Sequence, residues 1–288
     1  MLSAAARARL TVVLVGARNP SNIGAAARAM QDFGFSDLRI VNDYAAPFEA
    51  AQLEAAQTEP PKSAVGAASV MQQARRFSSL PEAIADCTLI AGTTAIGDRD
   101  LQRTILTLQQ STSELLAHLQ APATKPGAPG LDSEMRADPA PTPTGTPAPQ
   151  ARVALLFGSE KTGLTNDQLS HCSLLLTIPL FAPEAARHLS MNLGQSVAVC
   201  LYELTRGGLE GARALPALHE APATAEDRER LTQLLLDVMH TADYTRRFPA
   251  NATEPLVRQL TQQLGTTHRE SMTWMGILRQ ILWNSQKH

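Results

Sequence analysis

The sequence predicts an α/β fold with a mainly parallel sheet, followed by a small helical extension at the C-terminal end. Three observations carry this. Short aliphatic and β-branched runs recur between residues 10 and 178, each ending on a glycine, a small polar residue or a proline. Longer stretches with the apolar spacing of helices lie between them, and after residue 224 only helical spacing remains. Strands that alternate with helices favour parallel pairing, because a parallel neighbour is reached through a crossover. Strands that are apolar throughout, not alternately, suit a sheet covered on both faces.

In chain order, residues 10–15 (LTVVLV) form the first strand, ended by Gly16. Residues 17–21 are a loop. The Ala-rich residues 22–33 are a helix, capped by Ser21 or Asn22 and stopped by Gly34. A second strand covers residues 38–41 (LRIV). Residues 87–91 (CTLIA) form a strand that runs into Gly92, Thr93 and Thr94, and a helix follows over 107–119. Residues 153–157 (VALLF) run into Gly158, with a helix from about Thr165. Residues 174–178 (LLLTI) meet Pro179, and residues 191–204 are helical. Pro, Gly, Ala and Thr dominate residues 121–150, which lack the large apolar side chains a core requires. They read as a disordered insertion inside one domain, residues 1–206, because strand–helix units continue on both sides. A linker, 207–223, leads to the extension, 224–288. There Thr224 precedes Glu226 and Asp227, and Leu231, Leu234, Leu235, Val238 and Met239 recur at helical spacing. Two further helices cover 253–264 and 267–283, the last carrying both tryptophans, Trp274 and Trp283.

The 288 residues are 44% hydrophobic, enough for one sizeable core and a smaller unit. Lys and Arg number 25 against 27 Asp and Glu. That balance gives no basic signature of a phosphate-gripping protein, although it leaves room for a local patch. Cys87, Cys172 and Cys200 are far apart and match no metal-ligand spacing, so reduced core cysteines and no metal are expected. Residues 1–10 are too short for a signal peptide, and no apolar run approaches the roughly 18 residues of a membrane helix. A cytoplasmic protein without membrane contact is expected.

Ligands of open parallel sheets bind beyond the carboxyl ends of the strands, and four such ends carry notable residues. The first loop opens a helix with Asn19-Pro20-Ser21-Asn22-Ile23-Gly24 and reaches Arg28. It reads either as a capped helix with a surface arginine or as an arginine presented to a phosphate or a reacting hydroxyl. The second is Gly92-Thr93-Thr94-Ala95, small and polar. The third, residues 157–165 (FGSEKTGLT), sets a carboxylate between two glycines ahead of a capped helix, and it lacks the GK[ST] order of a phosphate-cradling loop. The fourth joins Ile178-Pro179 to Leu189-Ser190-Met191-Asn192 at a helix N-terminus, where free N–H groups favour a polar or anionic partner.

Taken in order, N-x-G-x-x-x-R at Asn22, Gly24 and Arg28, F-G-S-E-x-x-G-L at residues 157–164, and I-P…S-M-N-L at residues 178–193 resemble the three signature motifs of SPOUT methyltransferases. Within these they are most similar to the RNA 2′-O-methyltransferase branch, the TrmH-like group, and within that branch to enzymes of tRNA position 32 that accept cytidine or uridine. The resemblance covers residues 10–204 apart from the insertion. It is weaker in the tail, where residues 276–281 (GILRQI) are the most suggestive.

The resemblance implies a deep trefoil knot formed from residue 153 onward, S-adenosyl-L-methionine as cofactor, tRNA as substrate, and a homodimer. It implies cofactor contacts, mostly through backbone, at Thr93, Thr94, Ala95, Gly158, Ile178, Leu189, Ser190 and Met191. It makes Arg28, Ser190 and Asn192 the catalytic residues, with Arg28 serving the partner's cofactor. RNA would meet Arg18, Asn22, Arg99 and Glu160, while Glu160 organises its loop more than it moves a proton. The segment between Ile178 and Ser190 is longer than usual and adds Arg187 and His188. Arg75, Arg76 and Arg103 would extend a basic strip. Two other readings compete: a noncatalytic RNA-binding protein with the same fold, and an unrelated nucleotide-binding α/β enzyme. A different tRNA or rRNA site is a variant of the first reading.

Overall fold

The computed structural model describes residues 2–41, 49–50, 65–95, 103–121, 151–181, 191–210, 221–264 and 267–285. Within them, seven strands form one sheet: β1 (Leu10–Val15), β2 (Asp37–Val41), β3 (Arg75–Phe77), β4 (Leu89–Thr93), β5 (Ile105–Thr107), β6 (Val153–Phe157) and β7 (Leu174–Thr177). Their spatial order is β3-β2-β1-β6-β4-β7-β5, and every pairing is parallel. Helices α1 (Ala4–Arg7), α2 (Pro20–Phe33), α3 (Val65–Gln73), α4 (Leu80–Ile84), α5 (Leu108–Gln120), α6 (Asn166–Ser170) and α7 (Leu193–Glu210) accompany the sheet. Four more follow: α8 (Ala225–Thr241), α9 (Tyr244–Arg247), α10 (Glu254–Leu264) and α11 (His268–Ser285). No helix among the described residues is long and apolar enough to cross a membrane.

The uninterrupted apolar runs have a simple cause. Successive side chains of a strand point to opposite faces, and both faces of this sheet are covered. Leu10, Val12 and Leu14 of β1 join Val153, Leu155 and Phe157 of β6 in one core layer with side chains of α2, α5 and α7. Val13, Val15, Ala154 and Leu156 join the other layer, beneath α4 and α6. Burying each larger side chain of this kind contributes about 1.5–3 kcal/mol.

Strands β3 and β5 are absent from the sequence-based expectation. Each is three residues long and lies at a sheet edge, so neither has the two apolar faces that mark a central strand. Arg75 on β3 pairs with Asp37 at 3.0 Å. The last helix of the first unit, expected to end near Leu204, continues to Glu210. Residues 207–210 therefore belong to it and not to the linker. Gly207 and Gly208 lie close against α5 and Leu2, which leaves no room for side chains there without movement.

At the amino end of the sheet, Arg39 is buried (2% exposed) and bonded to Asp37, to Asp86 and, at 2.7 Å, to the Ala83 carbonyl. Arg152 also donates to Asp37. Burial would raise the Asp37 carboxyl, but hydrogen bonds from Arg39 and Thr11 and the Arg39 charge outweigh it and hold the group well below the usual carboxylate range. A carboxyl depressed in the folded state stabilises above its unfolded pKa and loses that contribution as pH falls towards its folded value. The Asp37 contribution should thus be constant near neutrality and be lost below about pH 4, on the order of 2 kcal/mol. Urea titrations across pH should show this slope shrinking in Asp37→Asn.

The C-terminal helices are anchored to that same end. Thr224 caps α8, and the N–H groups of Ala225 and Glu226 donate to the carbonyls of Cys87 (2.8 Å) and Ala85 (3.1 Å), just ahead of β4. Arg228 donates to the Thr88 carbonyl at 3.0 Å. Arg258 on α10 is 4% exposed; it bonds to Ser170 of α6 at 2.9 Å, to Glu229 of α8 at 2.9 Å and to Glu254.

Candidate functional site

Strands β1, β6, β4 and β7 are consecutive in the sheet, and their ends lie level. Leu14 stands opposite Phe157, Leu156 opposite Gly92, and Thr93 opposite Leu176. Their carboxyl ends therefore deliver the four loops noted in the sequence to one edge. A cleft at that edge is where open parallel sheets take ligands.

The loop after β6 is closed on itself. A Cβ on Gly158 would lie 2.1 Å from the Gly163 carbonyl carbon and the Leu164 nitrogen, so only glycine fits. Gly163 takes the left-handed conformation (φ 65°) and returns its N–H to the Ser159 carbonyl at 2.8 Å. The Ser159 and Thr162 hydroxyls are 2.7 Å apart. Thr165 then caps α6 in a reciprocal capping box with Gln168. This turn aims Glu160 at the start of α2. Its carboxylate accepts from the main-chain N–H groups of Arg18 and Asn19, both at 3.3 Å, and from Asn22 Nδ2 at 2.9 Å. Partial burial works against the charged carboxyl, but these donors prevail and hold it below its ordinary pKa. Glu160 is thus an ionised acceptor at neutral pH and not a proton carrier.

The α2 cap is Asn19, whose Oδ1 accepts from the Ser21 N–H at 3.0 Å, with Pro20 in the first turn. The cap expected at Ser21 or Asn22 is therefore moved, because proline has no N–H and suits the first helical position. The shift frees the Asn22 side chain. Asn22 Oδ1 accepts from Asn192 Nδ2 at 2.8 Å. Asn192 Oδ1 in turn accepts from the N–H groups of Gly194 (2.9 Å) and Gln195 (3.4 Å), capping α7. The first, third and fourth motifs are thereby joined by side-chain hydrogen bonds.

The other expected residues divide by location. Thr93 ends β4, and its hydroxyl donates to the Leu156 carbonyl at 2.9 Å, which ties β4 to β6. The Thr94 N–H donates to the Leu176 carbonyl at 2.9 Å. Thr94, Gly158, Ile178 and Met191 are partly exposed and Ala95 is exposed, and all five lie in or beside the loops that follow β4, β6 and β7. Leu189, Ser190, Arg99, Arg187 and His188 lie outside the described residues. Arg28 stands apart. It is six residues beyond Asn22, about 9 Å further along the helix and on another face, and it pairs with Asp32 at 3.4 Å on the surface. A single chain does not bring Arg28 to the Glu160–Asn22–Asn192 cluster.

The expected basic strip does not include Arg103. Arg103 donates to the carbonyls of Leu169 (3.1 Å), Cys172 (2.7 Å) and Ser173 (3.1 Å), closing the C-terminal end of α6. Arg75 is held by Asp37, as above. The three cysteines are buried and free, and burial pushes the Cys172 and Cys200 thiols up to about 12, which makes them inert. Sequence reasoning missed Asn19 as a cap, although an Asn-Pro step at a helix start signals one. It also missed Gly194, where a Cβ would stand 2.5 Å from Ala25 Cβ on α2; one chain carries no local signal for that contact.

A parallel sheet with these motif loops gathered at one edge defines a methylase of the SpoU type. The chain belongs to the SpoU rRNA Methylase family, which matches residues 9–202. Among individual proteins it is similar to the tRNA (cytidine/uridine-2′-O-)-methyltransferase TrmJ of Sodalis glossinidius, with 31% identity over 95% of this chain and 89% of that one. It is 29% identical to the tRNA (cytidine/uridine/adenosine-2′-O-)-methyltransferase TrmJ of Pseudomonas aeruginosa, over 97% of this chain and 94% of the relative. The crystal structure of TrmJ from Z. mobilis superposes with a TM-score of 0.65 at 26% identity, covering 94% of this chain and 98% of that one.

Proposed function

We propose that this protein transfers a methyl group from S-adenosyl-L-methionine to a ribose 2′-hydroxyl of tRNA, at position 32, on cytidine or uridine. The observation that supports this most is the convergence of the four motif loops at the carboxyl ends of β1, β6, β4 and β7, with Glu160, Asn22 and Asn192 bonded across them. The likeness to tRNA 2′-O-methyltransferases along nearly the whole chain supports the substrate class.

The residues bordering the edge fit such a cofactor. Ala95, Gly158, Ile178 and Met191 are small or apolar, so they offer main-chain polar groups and an uncharged surface suited to adenosine. Bound there, the sulfonium supplies a methyl group that is electrophilic without help from a metal. The chain's task is to align the hydroxyl with that methyl and to favour loss of its proton, since a ribose hydroxyl is a poor nucleophile at neutral pH. Arg28 is the group for the second part. An arginine stays charged, so it stabilises the emerging alkoxide or holds the adjacent phosphate and does not act as a literal base. Its distance from the cluster in one chain supports a homodimer in which α2 of each subunit presents Arg28 to the other's site. A trefoil knot through the segment from residue 153 and a cytoplasmic location complete the reading.

Radiolabelled cofactor incubated with unmodified tRNA tests it, with ribose methylation mapped by nucleotide. Label at the 2′-oxygen of nucleotide 32 is expected, and none in tRNA would sink the proposal. Removing residues 211–288 should weaken tRNA binding at least about tenfold, the effect of losing a few phosphate contacts, and leave cofactor affinity nearly unchanged. Filter binding and calorimetry on that variant check this, and unchanged tRNA affinity would count against an RNA-gripping tail.

A further inference from the structure

We infer that Glu160 serves methyl transfer as a positioning residue, which through Asn22 and Asn192 sets the amino-terminal turn of α7 against α2. The inference rests on the proposed function for its catalytic meaning and on geometry for its substance.

The hydrogen bonds run in one direction. The Glu160 carboxylate accepts from Asn22 Nδ2, Asn22 Oδ1 accepts from Asn192 Nδ2, and Asn192 Oδ1 accepts from the first free N–H groups of α7. An anion thus stands at one end of the series and the positive end of a helix at the other. Both amides are oriented without ambiguity, since reversing either would set donor against donor. The series crosses separations of 138 and 170 residues, so it fixes segments that local structure does not fix.

A second observation is independent of these bonds. At Gly194, two residues into α7, a Cβ would lie 2.5 Å from Ala25 Cβ and 3.3 Å from the Ala25 carbonyl carbon. The two helices meet there at a distance that only glycine allows, and that approach brings Asn192 within 2.8 Å of Asn22. Hydrogen bonds and helix contact thereby specify one placement of the chain where it enters α7.

The consequence concerns roles. Glu160 and Asn22 are assigned to RNA contact, and Asn192 to catalysis, by the resemblance of their motifs. Here the Asn22 oxygen, the Asn192 oxygen and the Glu160 carboxylate all hold partners from the chain itself. They act by placing Met191, which precedes Asn192 and is partly exposed, and with it the end of the loop that borders the cofactor edge.

The test exchanges the ends of the first bond. Glu160→Gln leaves too few acceptor oxygens for three donors, and Asn22→Asp sets carboxylate against carboxylate. Each should lower kcat and cofactor affinity by about 10–100-fold, as the loss of a charge-assisted hydrogen bond does. The double variant Glu160→Gln/Asn22→Asp restores a donor opposite an acceptor across that bond, while its amide nitrogen replaces the oxygen that accepts from the Asn19 N–H, so it should recover both quantities in part, to a level several-fold above either single variant. Calorimetry reads cofactor affinity without turnover, and melting curves report folding. A folded double variant as impaired as the single ones would overturn the inference, because Glu160 or Asn22 would then touch substrate directly. If the single variants do not fold, the second pair decides: Gly194→Ala should be impaired and Gly194→Ala/Ala25→Gly restored, and no recovery there overturns the inference equally. A wild type that binds cofactor but never methylates tRNA would defeat the proposed substrate and leave the calorimetric cycle readable.

Discussion

Arg28→Ala is expected to lower methyl transfer by about 10²–10³-fold, the usual cost of removing a group that stabilises charge developing in a transition state. Cofactor affinity should stay within a few-fold, because Arg28 lies on the surface of α2 and pairs only with Asp32 in the described structure. Arg28→Lys should recover part of the rate, since a point charge replaces a planar fork. A variant with full activity would remove Arg28 from the mechanism. The subunit question has its own test. If the chain dimerises, co-expressing Arg28→Ala with a chain blocked at the exposed Ala95 beyond β4, Ala95→Trp, yields mixed dimers in which one site is intact if Arg28 acts across the interface. With random pairing, about a quarter of wild-type activity should return; none returns if Arg28 serves its own chain.

The second large effect is on stability. Arg258→Ala should destabilise the protein by about 1.5–3 kcal/mol, the range for losing hydrogen bonds to charged groups, because Glu254 and Asp167 are half or more exposed and are rehydrated once the arginine is gone. The partners are Glu229 and Glu254, with Asp167 at 3.5 Å and Ser170 at 2.9 Å on the α6 side. Because Arg258 joins α8 and α10 to α6, the loss should fall first on the attachment of the C-terminal helices. Limited proteolysis should then release the segment beyond residue 221 before the sheet is cut, and a melting curve should show a lowered or divided transition. An unchanged melting temperature would mean that the α10–α6 and α8–α4 contacts hold the unit without Arg258.

How legible this was depends on where each residue sits. The limits of β1 and β6 are those expected from the sequence, because burial on both faces leaves an apolar run, unbroken in Val153–Phe157 and interrupted in Leu10–Val15 only by Thr11. Strand β3, Arg75–Phe77, has no such run, since an edge strand of three residues can carry two arginines. The candidate site residues Asn22, Glu160 and Asn192 were visible in the motifs. Their mutual bonding was not, because no local pattern encodes a contact between residues 170 positions apart. The α2 cap was misread because Asn19, Ser21 and Asn22 all offer capping oxygens, and Pro20 settles the choice. Arg103 looked like a solvent-facing cation. It serves instead as the partner of three carbonyl groups, a distinction that depends on what the fold places beside it.

The strand order has a consequence for the chain's birth. In sequence β4 and β5 come before β6 and β7, yet in the sheet β6 stands between β1 and β4, and β7 between β4 and β5. The first half of the chain therefore cannot finish its own sheet. During synthesis, β1 with β2 and β3 can pair, but β4 and β5 stay unpaired until residues 153–177 leave the ribosome. Such long-range closure slows folding and leaves strand edges exposed in the meantime. Truncated or stalled nascent chains ending before residue 153 should be the species that chaperones hold and proteases remove. The edge that carries the motif loops, which needs β6 and β7 for two of its four loops, comes into being only at that late step.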